Sequence, residues 1–417
     1  MAALQQYLAV RQTSEGLCEP LATEDFVPQS MPDASPTKWH LAHTSWFFET
    51  FLLRPHLVDY RPFDAGFEYL FNSYYEAVGP QYPRAARGAI TRPTVEQVFD
   101  YRRHVDAAMT TLLLRPLEPH LLALVTLGVH HEQQHQELLL MDLLHLYSNH
   151  PAPPAYRAGS AAALPAAPQR SVAFDGGDGQ VGHDGDGFCF DNETPRHRVW
   201  LEPFELGSRL VTNGEYLEFM ADGGYEQPAL WLSDGLALAR REGWQAPLHW
   251  RRREGAWLEL TLRGLGPVAP ERPVAHVSFF EADAFATWAG SRLPTEQEWE
   301  LAAAGAPVSG NLLERGELCA IAAGDDAGIS QLYGDLWEWT RSAYEPYPGF
   351  RAREGAIGEY NGKFMISQQV LRGGSCATPT SHIRATYRNF FYPHQRWMFS
   401  GIRLARGPAR PAEGIST

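Results

Sequence analysis

The sequence predicts an α+β protein in two parts, a helical bundle followed by a mixed, loop-heavy domain. Three observations carry this. Leu121 to Tyr147 contains no Pro and one Gly, and repeats leucine at helical spacing, so it forms a single long helix. Pro151 to Gln169 is a Pro/Ala-rich stretch with the composition of a linker. Beyond it, short strand-like runs such as Arg198 to Leu201 and Val370 to Arg372 alternate with Gly-rich turns. A chain of 417 residues exceeds one ordinary core. The expected division is a bundle over 1–150, a linker over 151–169 and a second domain over 170–417.

The first part reads as four helices. A segment near Leu4 to Leu17 is the first. After the Pro-bounded turn Met31 to Pro36, the second runs from Thr37 to Leu53 with apolar residues on several sides, the pattern of a buried helix. Residues 54–93 are irregular and rich in Pro, Tyr and Arg, and a long loop inside a compact domain is usually functional. Thr94-Val95-Glu96-Gln97 is a capping box that opens a third helix reaching about Leu114. The fourth is the leucine-repeat helix. Four helices with one long crossover suggest a four-helix bundle, whose core can hold a metal. In the second part, helices are expected over Asn213 to Met220, Glu281 to Ala289 and Thr295 to Ala304, the last opened by the box Thr295-Glu296-Gln297-Glu298.

Composition removes several function classes. A net charge of −14 disfavours nucleic acid, because phosphate binding wants a basic surface. No apolar run is long enough to span a membrane. The four cysteines are scattered without a CxxC pair, and the N-terminus carries no signal-peptide pattern, so the expectation is reduced thiols in a cytoplasm.

The chemistry concentrates in His130-His131-Glu132-Gln133-Gln134-His135. Residues four apart on a helix project from one face, so His131 and His135 can offer two imidazoles to one ion. His130 points about 100° away at 3.6 residues per turn and cannot join them. A buried helix whose histidines only hydrogen-bond to neighbours is the bland alternative. His40, His130 and His145 read as structural. Glu132 would be the general base of a zincin, but is expected here as a partner behind the ligands or in an ion pair within the bundle.

Five further motifs occur in order: Val211 to Tyr216, Arg292 to Glu300, Gly334 to Trp339, Arg372 to Ser375 and Gly401 to Arg403. They resemble formylglycine-generating-enzyme-type domains, which have a C-type-lectin-like core. The first part, with Trp39-His40-Leu41-Ala42-His43 and the HEQQH helix, resembles a DinB-like bundle. Together the two resemble the ergothioneine-biosynthesis sulfoxide synthases, non-haem iron(II) enzymes that join hercynine to a thiol using dioxygen. The resemblance implies iron(II) on His43, His131 and His135. It implies small-molecule substrates: hercynine, dioxygen and a thiol, cysteine favoured over γ-glutamylcysteine because Phe390-Phe391 stands where other members carry an acidic residue.

A tyrosine proton donor is also implied, here Tyr74 or Tyr75; the alternative for either is an aromatic packed in the loop. Arg84 would bind the thiol substrate's carboxylate, with Arg87 in a surface ion pair. Gln134, Asn389 and Phe390 would contact hercynine. Asp33 would contact substrate or cap the helix that follows it. Rival readings are selenium–carbon bond formation on hercynine, a zinc metallopeptidase, a formylglycine-generating activity and a lectin-like binding module.

Overall fold

The computed structural model describes residues 1–159, 165–324 and 328–407. The chain divides into two compact units, and the division is not collinear. The first unit holds Met1–Gly159 together with two short segments from far along the chain, Thr261–Gly264 and Ala352–Asn361.

Four long helices build the first unit: Ala2–Gly16, Thr37–Phe48, Val95–Leu113 and Pro119–Ser148. The local sequence sets their starts. Thr94 Oγ1 accepts from the Gln97 N–H while the Gln97 side chain accepts from the Thr94 N–H, and Pro119 occupies the first turn of the longest helix. The first and second helices each pack on both the third and the fourth.

Gly128 permits a close approach of the second helix to the fourth. A Cβ there would lie 2.5 Å from a Phe48 ring carbon and 2.9 Å from one of Phe47. The second helix does not stay α-helical to Leu53 as the sequence suggests. It widens into a π-segment over Glu49–Leu53 and ends in one short turn. The widened turn presents Glu49 to Tyr101 Oη, at 2.8 Å, and to Tyr60 Oη, which anchors the start of the loop region. That region is less irregular than expected, with short helices at Phe67–Phe71 and Arg84–Ala89.

In the second unit a four-stranded sheet orders Asn389–Phe391, Gln369–Arg372, Trp337–Ala343 and Ser400–Gly401, the last pair parallel. Helices cover Asn213–Ala221, Ser233–Glu242, Phe279–Trp288 and Glu296–Ala303. Three open on complete capping boxes, at Thr212, Ser278 and Thr295. Ser233–Glu242 has no side-chain cap, and the sequence reading misses it. Trp299, Trp337 and Trp339 are fully buried. Arg403 forks onto Glu338 at 2.7 and 2.8 Å, and Arg372 bridges Glu296 and Glu300 at 2.9 Å each. Motif residues of this half therefore form its core ion pairs and helix caps. No helix among the described residues is long and apolar enough to cross a membrane.

Candidate metal centre

His43 comes from the helix Thr37–Phe48, and His131 and His135 from one face of Pro119–Ser148. Their ring centroids form a near-equilateral triangle of 4.9, 4.8 and 4.7 Å. One nitrogen of each lies within 4.8 Å of the others, and among the described residues this is the group suited to hold a metal ion.

Packing fixes the first ring. Trp39 and Trp46 stack on His43 at 4.6 and 5.5 Å, both nearly parallel to it. Its Nδ1–H donates to the Phe71 carbonyl at 2.6 Å, leaving the Nε2 lone pair for a ligand. His135 Nδ1 faces His40 Nδ1 at 2.9 Å, and His40 Nε2 faces Asp142 Oδ2 at 3.1 Å. His131 Nδ1 is buried with no hydrogen-bond partner, so no neighbour fixes the tautomer of this ring.

Burial, reinforced by the neighbouring imidazoles, holds His43 and His135 well below the ordinary histidine range, and burial brings His131 down to about 4. All three rings are therefore neutral at pH 7, the form that binds metal. His43 and His131 are buried, whereas His135 and Gln134 are half-buried.

Glu132, beside the first ligand of this helix, points into the bundle. Its carboxylate accepts from Arg11 at 3.0 Å and Arg102 at 2.9 Å, with all three side chains almost fully buried. Burial alone would raise this carboxyl, but the two guanidinium groups outweigh it and hold it at about 2. Glu132 is thus an ion-pair residue and not a poised general base. His145 bonds Ser30 Oγ at 2.7 Å and His130 is buried.

The loop residues divide differently from the sequence expectation. Arg87 is not in a surface ion pair. It is buried, donates to Ser35 Oγ and Ser73 Oγ at 2.9 Å each, and lies with its Cζ 3.4 Å from the Trp39 ring centroid. No carboxylate pairs with it among the described residues, and its Nε has no partner. Burial pushes it down to about 9, with the neighbouring Arg84 cation adding to the effect and the Asp142 carboxylate only partly opposing it.

Arg84 is the exposed one, donating to Tyr74 Oη at 2.9 Å and to the Asp33 carbonyl. Asp33 does not cap the following helix. Pro36 holds the N-cap position without a side-chain bond, because the chain turns three residues later than a cap at Asp33 requires. Tyr75 is buried against Trp46, Phe47 and Phe51, while Tyr74 is half-exposed. Asn389 and Phe390 belong to the second unit, where Asn389 Oδ1 accepts from the Phe390 N–H and Phe390 stacks on Tyr344 at 4.1 Å.

Sequence reasoning misses two features. His40 and Asp142 stand behind His135, and the pairing of His40 three residues before one ligand with Asp142 seven after another was the available signal. Residues 352–361 also join this unit. Glu359 accepts from the Glu76 and Ala77 N–H groups at 3.0 Å each, and the Tyr360 ring lies 5.9 Å from Tyr74. Nothing local in the sequence could reveal a contact that spans more than 280 positions.

Comparison with known proteins covers both units. Residues 159–325 and 319–408 match the sulfatase-modifying factor enzyme 1-like domain. The chain is 34% identical to the hercynine oxygenase of Mycolicibacterium smegmatis over 90% of its own length and 92% of that protein. It is 33% identical to the hercynine oxygenase of Mycolicibacterium thermoresistibile, covering 91% of this chain and 90% of that one. The formylglycine-generating enzyme of Streptomyces coelicolor is 30% identical over 54% of this chain and 84% of its own. Coverage of 90% necessarily includes most of the helical part that carries the histidines, which 54% need not.

Proposed function

The chain belongs to the hercynine oxygenase family of oxidoreductases, and from that premise we propose that it is an iron(II)- and dioxygen-dependent sulfoxide synthase. In this reading it joins hercynine to a thiol, cysteine before γ-glutamylcysteine: an imidazole C–H and the thiol S–H give way to one C–S bond, and dioxygen ends as the S=O oxygen and one water. The observation that carries the metal is the triangle of three neutral imidazoles at 4.7–4.9 Å, on two helices held together at Gly128. Imidazole suits iron, zinc, copper and nickel alike, and the oxygenase family favours iron. Iron(II) bound there would supply positions for dioxygen and a thiolate, and would bring the thiol to its deprotonated form.

The chain's own residues do the rest. Arg87 offers a buried guanidinium without a carboxylate partner, and a substrate carboxylate would complete it through two parallel hydrogen bonds. Arg84 orients Tyr74 Oη, the group proposed to deliver a proton to the oxygen that ends on sulfur. Tyr75, packed among three aromatic rings, supports that loop from beneath. Gln134, half-buried beside His135, is proposed as a hercynine contact. Asn389 and Phe390 are proposed as hercynine contacts.

The test is direct. Anaerobic iron(II)-loaded protein is given hercynine with cysteine or, separately, γ-glutamylcysteine, then oxygen, and the products are read by mass spectrometry. A hercynine–cysteine sulfoxide supports the proposal. Stoichiometric iron with no product from either thiol overturns it.

A further inference from the structure

A chain of hydrogen bonds leads from the histidine triangle to a buried carboxylate. His135 Nδ1 lies 2.9 Å from His40 Nδ1, His40 Nε2 lies 3.1 Å from Asp142 Oδ2, and the same oxygen accepts from the Ser35 N–H at 2.7 Å. His40, Asp142 and Ser35 are all buried.

Two nitrogens in hydrogen-bond contact share one proton, so one ring donates and the other accepts. The carboxylate only accepts, so His40 donates to it from Nε2. An imidazole with its single proton on Nε2 has its lone pair on Nδ1. His40 Nδ1 must then accept, and His135 Nδ1 must donate. The proton count ends at His135 Nε2, which is left with a lone pair. The reverse order would place a proton on His135 Nε2 and remove that ring from any ligand set.

We propose that His40 and Asp142 are positioning residues that hold His135 in its Nδ1–H tautomer and aim Nε2 at the metal; this rests on the metal reading above. The other oriented ligand uses a different device. His43 donates to a neutral backbone carbonyl, whereas His135 donates to an imidazole backed by a carboxylate. A charge-backed acceptor makes its ligand the more basic of the two. The spacing His40-x-x-His43 on one helix and His135-x6-Asp142 on the other gives each ligand helix one positioning residue on its ligand face.

The experiment uses full-length apoprotein titrated with cobalt(II), followed by visible absorption and by chelator competition, in wild type, His40→Phe and His40→Asn. His40→Phe keeps a ring but no acceptor, and is expected to bind cobalt(II) about ten- to a hundredfold more weakly with shifted absorption bands. His40→Asn places an amide oxygen near the former Nδ1 and is expected to recover most of the loss. A role in packing alone predicts a lower apoprotein melting temperature and unchanged cobalt affinity.

Cobalt binding by His40→Phe within twofold of wild type overturns the proposal, as does an Asn variant as weak as the Phe variant. Should His40→Phe not fold, the tautomer is read in wild-type apoprotein by long-range 1H–15N correlation, with His135 assigned through His135→Gln. A proton on His135 Nε2 overturns the proposal, and one on Nδ1 supports it. Wild-type protein that binds no cobalt(II) overturns the metal reading itself, a result distinct from equal binding by all three proteins.

Discussion

Glu132→Gln separates two views of the HEQQH helix. Glu132 is 1% exposed and neutralises two guanidinium groups, Arg11 and Arg102, which are 2% and 0% exposed. Gln keeps the shape and one acceptor oxygen but removes the buried counter-charge the two cations share, leaving Arg11 with the partly exposed Asp106 at 2.7 Å and Arg102 with the partly exposed Glu15 at 3.2 Å. Removing one side of a buried ion pair costs about 3–5 kcal/mol.

The depressed carboxyl reflects the net of burial, which raises it, and pairing, which lowers it. Holding the carboxyl at about 2 against an ordinary 4.5 corresponds to roughly 3 kcal/mol at 1.36 kcal/mol per pH unit. For a unit of this size, that lowers the melting temperature by about 6–12 °C. The pH dependence has a definite sign. The folded value is depressed, so the stabilisation is complete above about pH 4.5 and is lost as pH falls toward 2.

Wild type and Glu132→Gln are compared by thermal melts followed through the helical circular dichroism signal, at pH 7 and down to pH 3. The gap between them should be wide at pH 7 and narrow toward pH 3, where Glu132 is protonated in the unfolded chain but still ionised in the folded one. A variant that melts within 2 °C of wild type but has lost turnover would refute the reasoning and return Glu132 to the role of general base.

Four other outcomes are expected. Gly128→Ala drives a methyl to 2.5 Å from the Phe48 ring, so an overpacking cost of about 1–3 kcal/mol exceeds the gain of roughly 1 kcal/mol in helix propensity; a raised melting temperature would contradict this. Because the ligand histidines are depressed, with His131 at about 4, metal uptake displaces no proton near neutrality. Affinity measured by chelator competition should stay flat from pH 8 to 6, and a steep fall beginning at pH 6.5 would show ordinary histidines. Arg87→Ala should weaken binding of the carboxylate-bearing thiol by about ten- to a hundredfold, the worth of a hydrogen bond to a charged group, and Arg84→Ala by less; equal losses for both substrates in both variants count against the assignment. Tyr74→Phe should keep iron and substrate binding while shifting product from sulfoxide toward sulfinic acid, with Tyr75→Phe nearly neutral, and an unchanged product ratio in both would leave the loop tyrosines without a catalytic part.

What the sequence determined by itself is what depends on short separations. The four-residue spacing of His131 and His135 places both on one helix face whatever the rest of the chain does. The boxes at Thr94 and Thr295 are closed by residues three positions away, so those helix starts could be read directly. The helix Ser233–Glu242, which lacks such a cap, could not. In the second half the family motifs were legible because they are the caps and core ion pairs of the domain, as Arg403 with Glu338 shows.

Only the tertiary structure decided the fate of charges and rings whose partners lie far away in the chain. Arg84 and Arg87 look alike in sequence, yet one is exposed on Tyr74 and the other is buried on Trp39 between two serines. Glu132 became an ion-pair residue because Arg11, 121 positions earlier, turns toward it. The strap at 352–361 meets the Tyr74 loop across 283 positions. Local periodicity reports which face a side chain occupies, but desolvation and counter-charges are set by whatever that face meets, and that is known only once the helices have packed.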